Sequence, residues 1–376
     1  MEALSERGRR WAATMHGHAR ESGVVVAHGD SQARLGDVAL FDREAREVAE
    51  DGLLAPGATR AAGAGRRRIP EEPDDLRTCF ERDRDRILHS PAFRRLAGKT
   101  QVFIFPADHQ RTRLTHALEV AQVATAIARA CRLNVALAEA MALGHDCGHG
   151  PGGHASEDAL SPFLDGGFDH AVWGADVTAA PLNLCVETLD GIRNHSWSRP
   201  APSTPEGEVV GTADRLAYTS HDLEDASHAG IVHLGDLPPI VAERCGRTRA
   251  QQLRAFITDV IETSVRTGRV GLSSGMGDAL AALRQFNYER IYLRPASDSQ
   301  SRAVIGMLGA LVQHFAADPM AMPGGQHVDP GTDDAVRQAV GYVAGMTDRF
   351  ACAQALACLD WPAERLPKGL DVVGLG

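Results

Sequence analysis

The run Gly144-His145-Asp146-Cys147-Gly148-His149-Gly150-Pro151-Gly152-Gly153-His154-Ala155-Ser156-Glu157 gathers three histidines, an aspartate and a glutamate among five glycines and a proline. Helical periodicity from Asn134 to Leu143 leads into it, so His145 and Asp146 fall where a helix ends. Neighbouring side chains on a helix diverge by about 100°, but at a terminus the backbone can turn and bring both onto one ion. The glycines permit positive φ and let a ligand approach the backbone closely. A loop of this composition at a helix terminus reads as a site.

Working outward, the segment before this helix, Thr112 to Cys131, carries a broad apolar stripe (Leu114, Ala117, Leu118, Ala121, Ala124, Ile127, Ala128) and places Arg113 and His116 on one face. A cation on an enclosed face is costly without a partner; beside a metal ligand it makes sense if the site receives a phosphate. Downstream, Glu208 to Ala229 repeats Asp214, Tyr218 and Asp222 at four-residue spacing, with Asp225 three further on, between apolar flanks. A carboxylate there needs a partner, and a metal is one. His116, His145, Asp146 and Asp214 are thus the candidate ligands, from three separate helices. Two imidazoles and two carboxylates suit a divalent ion (Mg, Mn, Fe, Co or Zn) with positions open for water and substrate. His149, His154 and Glu157 form a second set, in which the carboxylate can orient an imidazole for acid–base work. His145-x-x-x-His149 does not make an HExxH protease motif, because glycine and proline break the helix and the acid is an aspartate.

The remaining chain is read as helical: Arg77 to Phe103 in part, Ser156 to Leu164, a short element from His170, Asn183 to Arg193, Ala250 to Thr267, Met276 to Tyr292, Ser301 to Ala317 and Thr332 to Leu359. Val102 to Pro106 is expected to be a short extended piece. Arg94, Arg95 and Lys99 read equally as a solvated face and as an anion-binding wall. Abundant alanine, leucine and arginine favour an all-α fold.

The chain has 376 residues, 44% of them hydrophobic and 23% charged, with a formal charge of -10, which excludes a globally basic nucleic-acid binder. Arg66-Arg67-Arg68 is the only local hint of nucleic acid. Seven scattered cysteines without a CxxC pair fit a reducing compartment rather than a disulfide scaffold. The N-terminal residues hold no apolar signal-peptide core and no apolar run reaches a membrane span, so a cytoplasmic location without a membrane partner is expected.

His116, His145-Asp146 and Asp214 form the H…HD…D signature, and the segments RDRDRILHSPAFRRLAGKTQVF, RTRLTHALEV, ALGHDCGHGPGGHASE, GGFDH, ADRLAYTSHDLEDA and AGMTDRFA resemble the deoxyguanosine triphosphate triphosphohydrolases (dGTPases) and dGTPase-like HD-domain phosphohydrolases. The resemblance runs from about Arg77 to Leu359. It implies an HD-domain helical bundle with additional C-terminal helices, divided into an irregular or flexible N-terminal arm (1–75), a metal-dependent phosphohydrolase core (76–230) and a C-terminal helical region completing the core and the oligomer interface (231–376). It implies hydrolysis of deoxynucleoside triphosphates, dGTP or more broadly, to deoxynucleoside and tripolyphosphate. Alternatives are another HD nucleotidase, acting on monophosphates or alarmones, and a nucleotide sensor of low turnover. By resemblance, His116, His145, Asp146 and Asp214 hold the metal, while His149, His154, Glu157 and His170 are catalytic. Arg113 contacts phosphate, Tyr218 and Asp222 line the sugar pocket, and Gln101 contacts substrate. Lys99 or Arg215 would offset triphosphate charge. A homo-oligomer and a nucleotide effector are expected partners. Two departures bear on substrate choice. Gly152-Gly153 stands where relatives often carry a phenylalanine, and the stretch from His170 to Asn183 is short.

Overall fold

The computed structural model describes residues 5–19, 23–107, 109–324 and 328–369. The fold is all-α: among the described residues the strands are His18–Ala19 and Val25–Val26, paired as a two-stranded antiparallel ribbon. The chain divides into a unit ending at Phe41 and a larger one from Asp42 onward. The smaller unit holds that ribbon and a helix, Glu6–Thr14, whose start is capped by the Ser5 hydroxyl.

The centre of the larger unit is built from α1 (Cys79–Leu88), α2 (Arg113–Ala130), α3 (Val135–Gly144) and, later in the chain, α7 (Pro205–His228). Between them lie α4 (Ala155–Leu160), α5 (His170–Trp173) and α6 (Val186–Arg193). Helices α2, α3 and α7 pack on one another and carry the candidate ligands. Small buried residues (Ala117, Ala121, Ala124 and Ala128 on α2; Ala138 and Ala142 on α3) let the axes approach closely, while Val120, Ile127, Leu137 and Met141 fill the seam. Full burial of each of the larger side chains contributes about 2 kcal/mol.

The C-terminal part adds α8 (Arg249–Thr267), α9 (Ser274–Asn287), α10 (Pro295–Ala317), α11 (Asp333–Ala344) and α12 (Asp348–Leu359). Two apolar cores result. One contains α1–α3 and α7–α9; the other joins α4 to α10, α11 and α12. The expected single helix from Thr332 to Leu359 is two helices, because Gly345-Met346 interrupts it and the Thr347 hydroxyl caps a new start at the Phe350 amide. Val102–Pro106 is an irregular bend rather than an extended piece, and Phe105 sits at φ +52°. The short α5 continues as a widened π turn, Gly174–Thr178, and a 3-10 turn, Ala180–Leu182.

Residues 43–75, grouped in the sequence reading with an irregular arm, include a helix, Arg43–Leu53, and buried Ala58 and Ala61 in the first core. Polar contacts tie this segment to the ligand-bearing helices. Glu206, fully buried in the first turn of α7, accepts from the Thr59 amide (3.0 Å), the Thr59 hydroxyl (2.7 Å) and the Asn134 amide (2.9 Å). Asn134 caps α3 through the Leu137 amide and donates to Glu50 and to the Thr59 carbonyl. Arg67 is spent in the same way: its guanidinium reaches Asp83 (2.5 Å) on α1 and the Asn183 carbonyl. The middle arginine of the triplet is therefore not free, while Arg66 and Arg68 stay exposed.

Glu206→Ala would strand three donors in the interior. A loss of about 3 kcal/mol in unfolding free energy is expected, measured by chemical denaturation; a loss under 1 kcal/mol would contradict the role given to this carboxylate.

Candidate active site

His116 projects from α2 one turn after Arg113. His145 and Asp146 follow directly on the last residue of α3, and Asp214 lies mid-way along α7. The three helices bring these side chains together. The His116 Nε2 is 3.0 Å from the Asp214 Oδ1 and 3.9 Å from the Asp146 Oδ2. The His145 Nε2 is 3.5 Å from the Asp146 Oδ1 and 3.7 Å from the Asp214 Oδ1. The Nδ1–H of His145 donates to the Ala142 carbonyl (2.6 Å), which leaves Nε2 as the free lone pair. That atom is buried and has no hydrogen-bond partner, although it faces two carboxylates. An imidazole lone pair aimed at carboxylate oxygens is a repulsive arrangement unless a cation lies between them. The donor set therefore fits a divalent ion.

The second set adjoins the first. The His149 Nε2 is 3.2 Å from the Asp146 Oδ1, and the His149 ring stacks on that of His170 with centroids 3.7 Å apart. The Glu157 carboxylate gathers this cluster, 2.5 Å from the His170 Nδ1 and 3.4 Å from the His154 Nδ1. His154 is unlike the others: its side chain is 78% exposed, on the rim of the cavity. Gly152 and Gly153, at φ +73° and +65°, turn the chain so that His154 reaches the site from outside.

Electrostatics separate the groups. Burial would raise Asp146, but Arg113, with its Nη1 2.6 Å away, and the surrounding imidazoles hold it well below the usual carboxylate range. Burial also works against charge on Asp214 and Glu157, and their histidine partners outweigh it, so both are held low. His149 is pushed well down by burial and then by Arg113, which keeps it neutral near pH 7. For His116 burial pulls downward, but the bond to Asp214 wins and raises it.

A cavity of about 930 Å³ opens from this cluster. Arg113, Arg215, Arg284, Gln101, Tyr218, Asp222, Tyr288 and Tyr292 line it. Every substrate-contact residue expected from the sequence is thus on one wall system with the ligand cluster. Lys99 is the exception. Its Nζ donates to the His149 and Ala344 carbonyls, so it offers no cation to a phosphate, and Arg94 and Arg95 are exposed away from the cavity lining. Asp225 faces away as well, held by Arg111 at 2.5 Å.

The HD domain model matches residues 113–219, and the phosphohydrolase-associated domain model matches residues 270–356. A deoxyguanosinetriphosphate triphosphohydrolase-like protein of Caldanaerobacter subterraneus subsp. tengcongensis is 41% identical over 316 residues, covering 82% of this chain and 93% of its own. The chain belongs to the deoxyguanosinetriphosphate triphosphohydrolase-like family of HD-domain proteins. A similarly named protein of Clostridium perfringens is 41% identical, covering 76% of this chain and 88% of its own. A solved phosphohydrolase from Bacteroides thetaiotaomicron matches at 17% identity and a TM-score of 0.44, over 72% of this chain and 66% of that one.

As a member of the HD family this protein is a metal-dependent phosphohydrolase. HD domains bind divalent metals, and the cluster around Asp146 is where this chain can hold one. Four further residues at the site escaped the sequence reading. His195, at the end of α6, is buried with its Nε2 3.3 Å from that of His170, its ring 5.0 Å from that of His145, and its pKa pushed down to about 4 by burial and by those two histidines. Its only signal was a histidine closing a helix, as His145 does. Arg284, Tyr288 and Tyr292 come from α9 and the π turn after it; their four-residue spacing was absorbed into an apolar helix pattern. Cys147, next to Asp146, is buried, and burial lifts its thiol to about 12, so it is a packing residue rather than a ligand.

His145→Ala and Asp214→Ala should each abolish bound divalent metal, read by elemental analysis of the purified protein, whereas Cys147→Ala should keep it. Full metal retention in either of the first two variants would rule out this centre.

Proposed function

We propose that this phosphohydrolase acts on deoxynucleoside triphosphates and releases deoxynucleoside and tripolyphosphate. The observation that carries the reading is the composition of the cavity leading from the His/Asp cluster. Four guanidinium groups stand on its wall, Arg113, Arg215, Arg284 and Arg294, enough to meet a polyphosphate. Arg215 is held 3.9 Å over the Trp197 ring, and the Nε–H of Arg284 donates to the Tyr218 hydroxyl (3.0 Å). The same wall presents two buried acceptors that have no partner, the Asp222 Oδ1 and the Gln101 Oε1. Such acceptors suit a sugar hydroxyl. Asp222 is further held by the Tyr292 hydroxyl at 2.5 Å, and burial raises its pKa to about 7. The aromatic rings of Tyr218 and Tyr292 close the space beside that acceptor, and a deoxyribose fits against them better than a ribose carrying one more hydroxyl to desolvate. The names of the relatives support the same substrate class.

In the proposed reaction His116, His145, Asp146 and Asp214 hold a divalent ion, which would supply Lewis acidity and a water of lowered pKa. Arg113, bridged to Asp146, binds the phosphate next to that centre and keeps the carboxylate ionised. Neutral His149, stacked on His170, faces the reacting phosphoryl group and stabilises its developing charge. His154, paired with Glu157, protonates the departing 5′ oxygen. A homo-oligomer and a nucleotide effector, both expected from the family resemblance, belong to the same proposal.

A panel of the four deoxynucleoside triphosphates and GTP, assayed with several divalent ions and read by product identity, tests it. Tripolyphosphate and deoxynucleoside are expected; orthophosphate or pyrophosphate would overturn the proposal in favour of a different HD nucleotidase. His154→Ala should retain the metal and lose about 100-fold or more in kcat; unchanged kcat would remove His154 from the acid role.

A further inference from the structure

The phosphohydrolase-associated segment contributes cavity wall through Arg284, Tyr288 and Tyr292, but its far end touches the site differently. Lys99 is buried, and its Nζ donates to the carbonyl of His149 and to that of Ala344 (3.0 Å), the last residue of α11. Asp348, the first residue of α12, is equally buried. Its Oδ2 accepts from the Thr100 hydroxyl (2.6 Å) and its Oδ1 from the Gly152 amide (2.8 Å). Consecutive residues, Lys99 and Thr100, therefore reach the two ends of the interruption between α11 and α12. At the same time Lys99 and Asp348 hold the glycine loop at two points, His149 and Gly152.

Close packing reinforces these bonds. A side chain on Gly98 would meet Thr347 at 2.8 Å, and one on Gly152 would meet Val304 of α10 at 2.6 Å. The loop is thus clamped from the C-terminal layer without room to spare. Burial drives the Lys99 amine down to about 7 and raises the Asp348 carboxyl, so both groups are costly to bury, and an apolar pair of the same volume would serve mere packing at least as well. What a charged group gives that an apolar one does not is direction at a named backbone atom. His154 needs that direction. Its side chain is largely exposed, so beyond the Glu157 carboxylate, 3.4 Å from its Nδ1, its aim depends on the backbone from His149 through Gly152 and Gly153.

We propose that Lys99 and Asp348 are positioning residues, a two-point clasp by which the C-terminal helices fix the loop bearing His149 and His154 against the ligand cluster. The rate effect of the clasp rests on the reading of those two histidines as reacting side chains; its mechanical part does not.

Asp348→Asn in the full chain is the test, because the amide keeps the volume but turns a donor toward either Thr100 or Gly152. Amide hydrogen exchange followed by mass spectrometry should show peptides spanning 148–154 exchanging about tenfold faster, with peptides over 113–120 and 210–218 unchanged. Bound metal should be retained. kcat should fall by about 100-fold with KM within threefold, the signature of lost orientation rather than lost binding. Lys99→Met should move both readouts the same way. Thr100→Val, which loosens Asp348 without removing its charge, should give a smaller shift and replaces Asp348→Asn if that variant does not fold. Unchanged exchange of 148–154 overturns the clasp. A loosened loop with kcat within twofold of the parent, or loss of metal together with rate, overturns its positioning role. If the parent hydrolyses no deoxynucleoside triphosphate, the functional proposal fails, and the exchange result still decides whether the clasp holds the loop.

Discussion

Asp146 is the side chain on which the rest of the site depends. It is a buried carboxylate whose Oδ2 is 2.6 Å from Arg113 and whose Oδ1 lies 3.2 Å from His149 and 3.5 Å from His145. A lone carboxylate in that position would be strongly penalised. It is stable only because a guanidinium and several imidazoles converge on it, and because an ion can satisfy the lone pair that His145 directs toward it. Helices α2, α3 and α7 must therefore meet at one level along their axes. The alanine-rich seam between α2 and α3 sets their separation, and the buried Glu206–Thr59–Asn134 bonds fix the start of α3 against the start of α7. Packing, capping and site geometry are the same constraint seen at three scales.

Much of this was legible in the chain because the candidate ligand residues fall at informative places in local patterns. His145-Asp146 closes an apolar helix and opens a glycine loop. His116 shares a face with an arginine that a dry core would not tolerate alone. Asp214 leads a four-residue polar repeat on an otherwise enclosed helix. Each carries its signal within a dozen residues, and each helix appears within a few residues of its expected bounds. What was not legible depended on long-range contact. Nothing near Lys99 announces that its amine would be spent on the carbonyls of His149 and Ala344, 50 and 245 residues away. Tyr292 reads as one more apolar position until the π turn after α9 swings it toward Asp222. Helix Arg43–Leu53 and the loop after it were unreadable as core, because their packing depends on Glu206, Asn134 and Asp83 rather than on their own periodicity.

The site also divides its work between buried and exposed groups. His116, His145, His149, His170 and His195 are all buried, in a low-dielectric setting where their interactions with Asp146 and Asp214 are strong and their orientations fixed. His154 stands outside this set, tethered by Glu157 and by two glycines in left-handed backbone. In the proposed reaction, where His154 protonates the leaving oxygen, such a location lets it pick up its next proton from water without opening the core. The cost is that little packs against it beyond the edges of the His149 and His170 rings.

That cost explains why a second apolar core belongs to this fold at all. The ligand cluster is carried by α2, α3 and α7, which the first core holds without α10, α11 and α12. Those C-terminal helices add no candidate ligand among the described residues. They do present Asp348 to the Gly152 amide, the Ala344 carbonyl to Lys99, and Val304 to the space above Gly152. A glycine-rich loop loses more conformational freedom on ordering than any other kind, so a loop built to approach a ligand closely must be restrained by something other than its own side chains. The interruption at Gly345-Met346, which ends α11 and starts α12 beside the loop, supplies that restraint. One continuous helix from Thr332 to Leu359 would carry neither a free terminal carbonyl at Ala344 nor a carboxylate in a first helical turn at Asp348. The break that the helical periodicity failed to reveal is thus the feature that couples the C-terminal layer to the histidine loop.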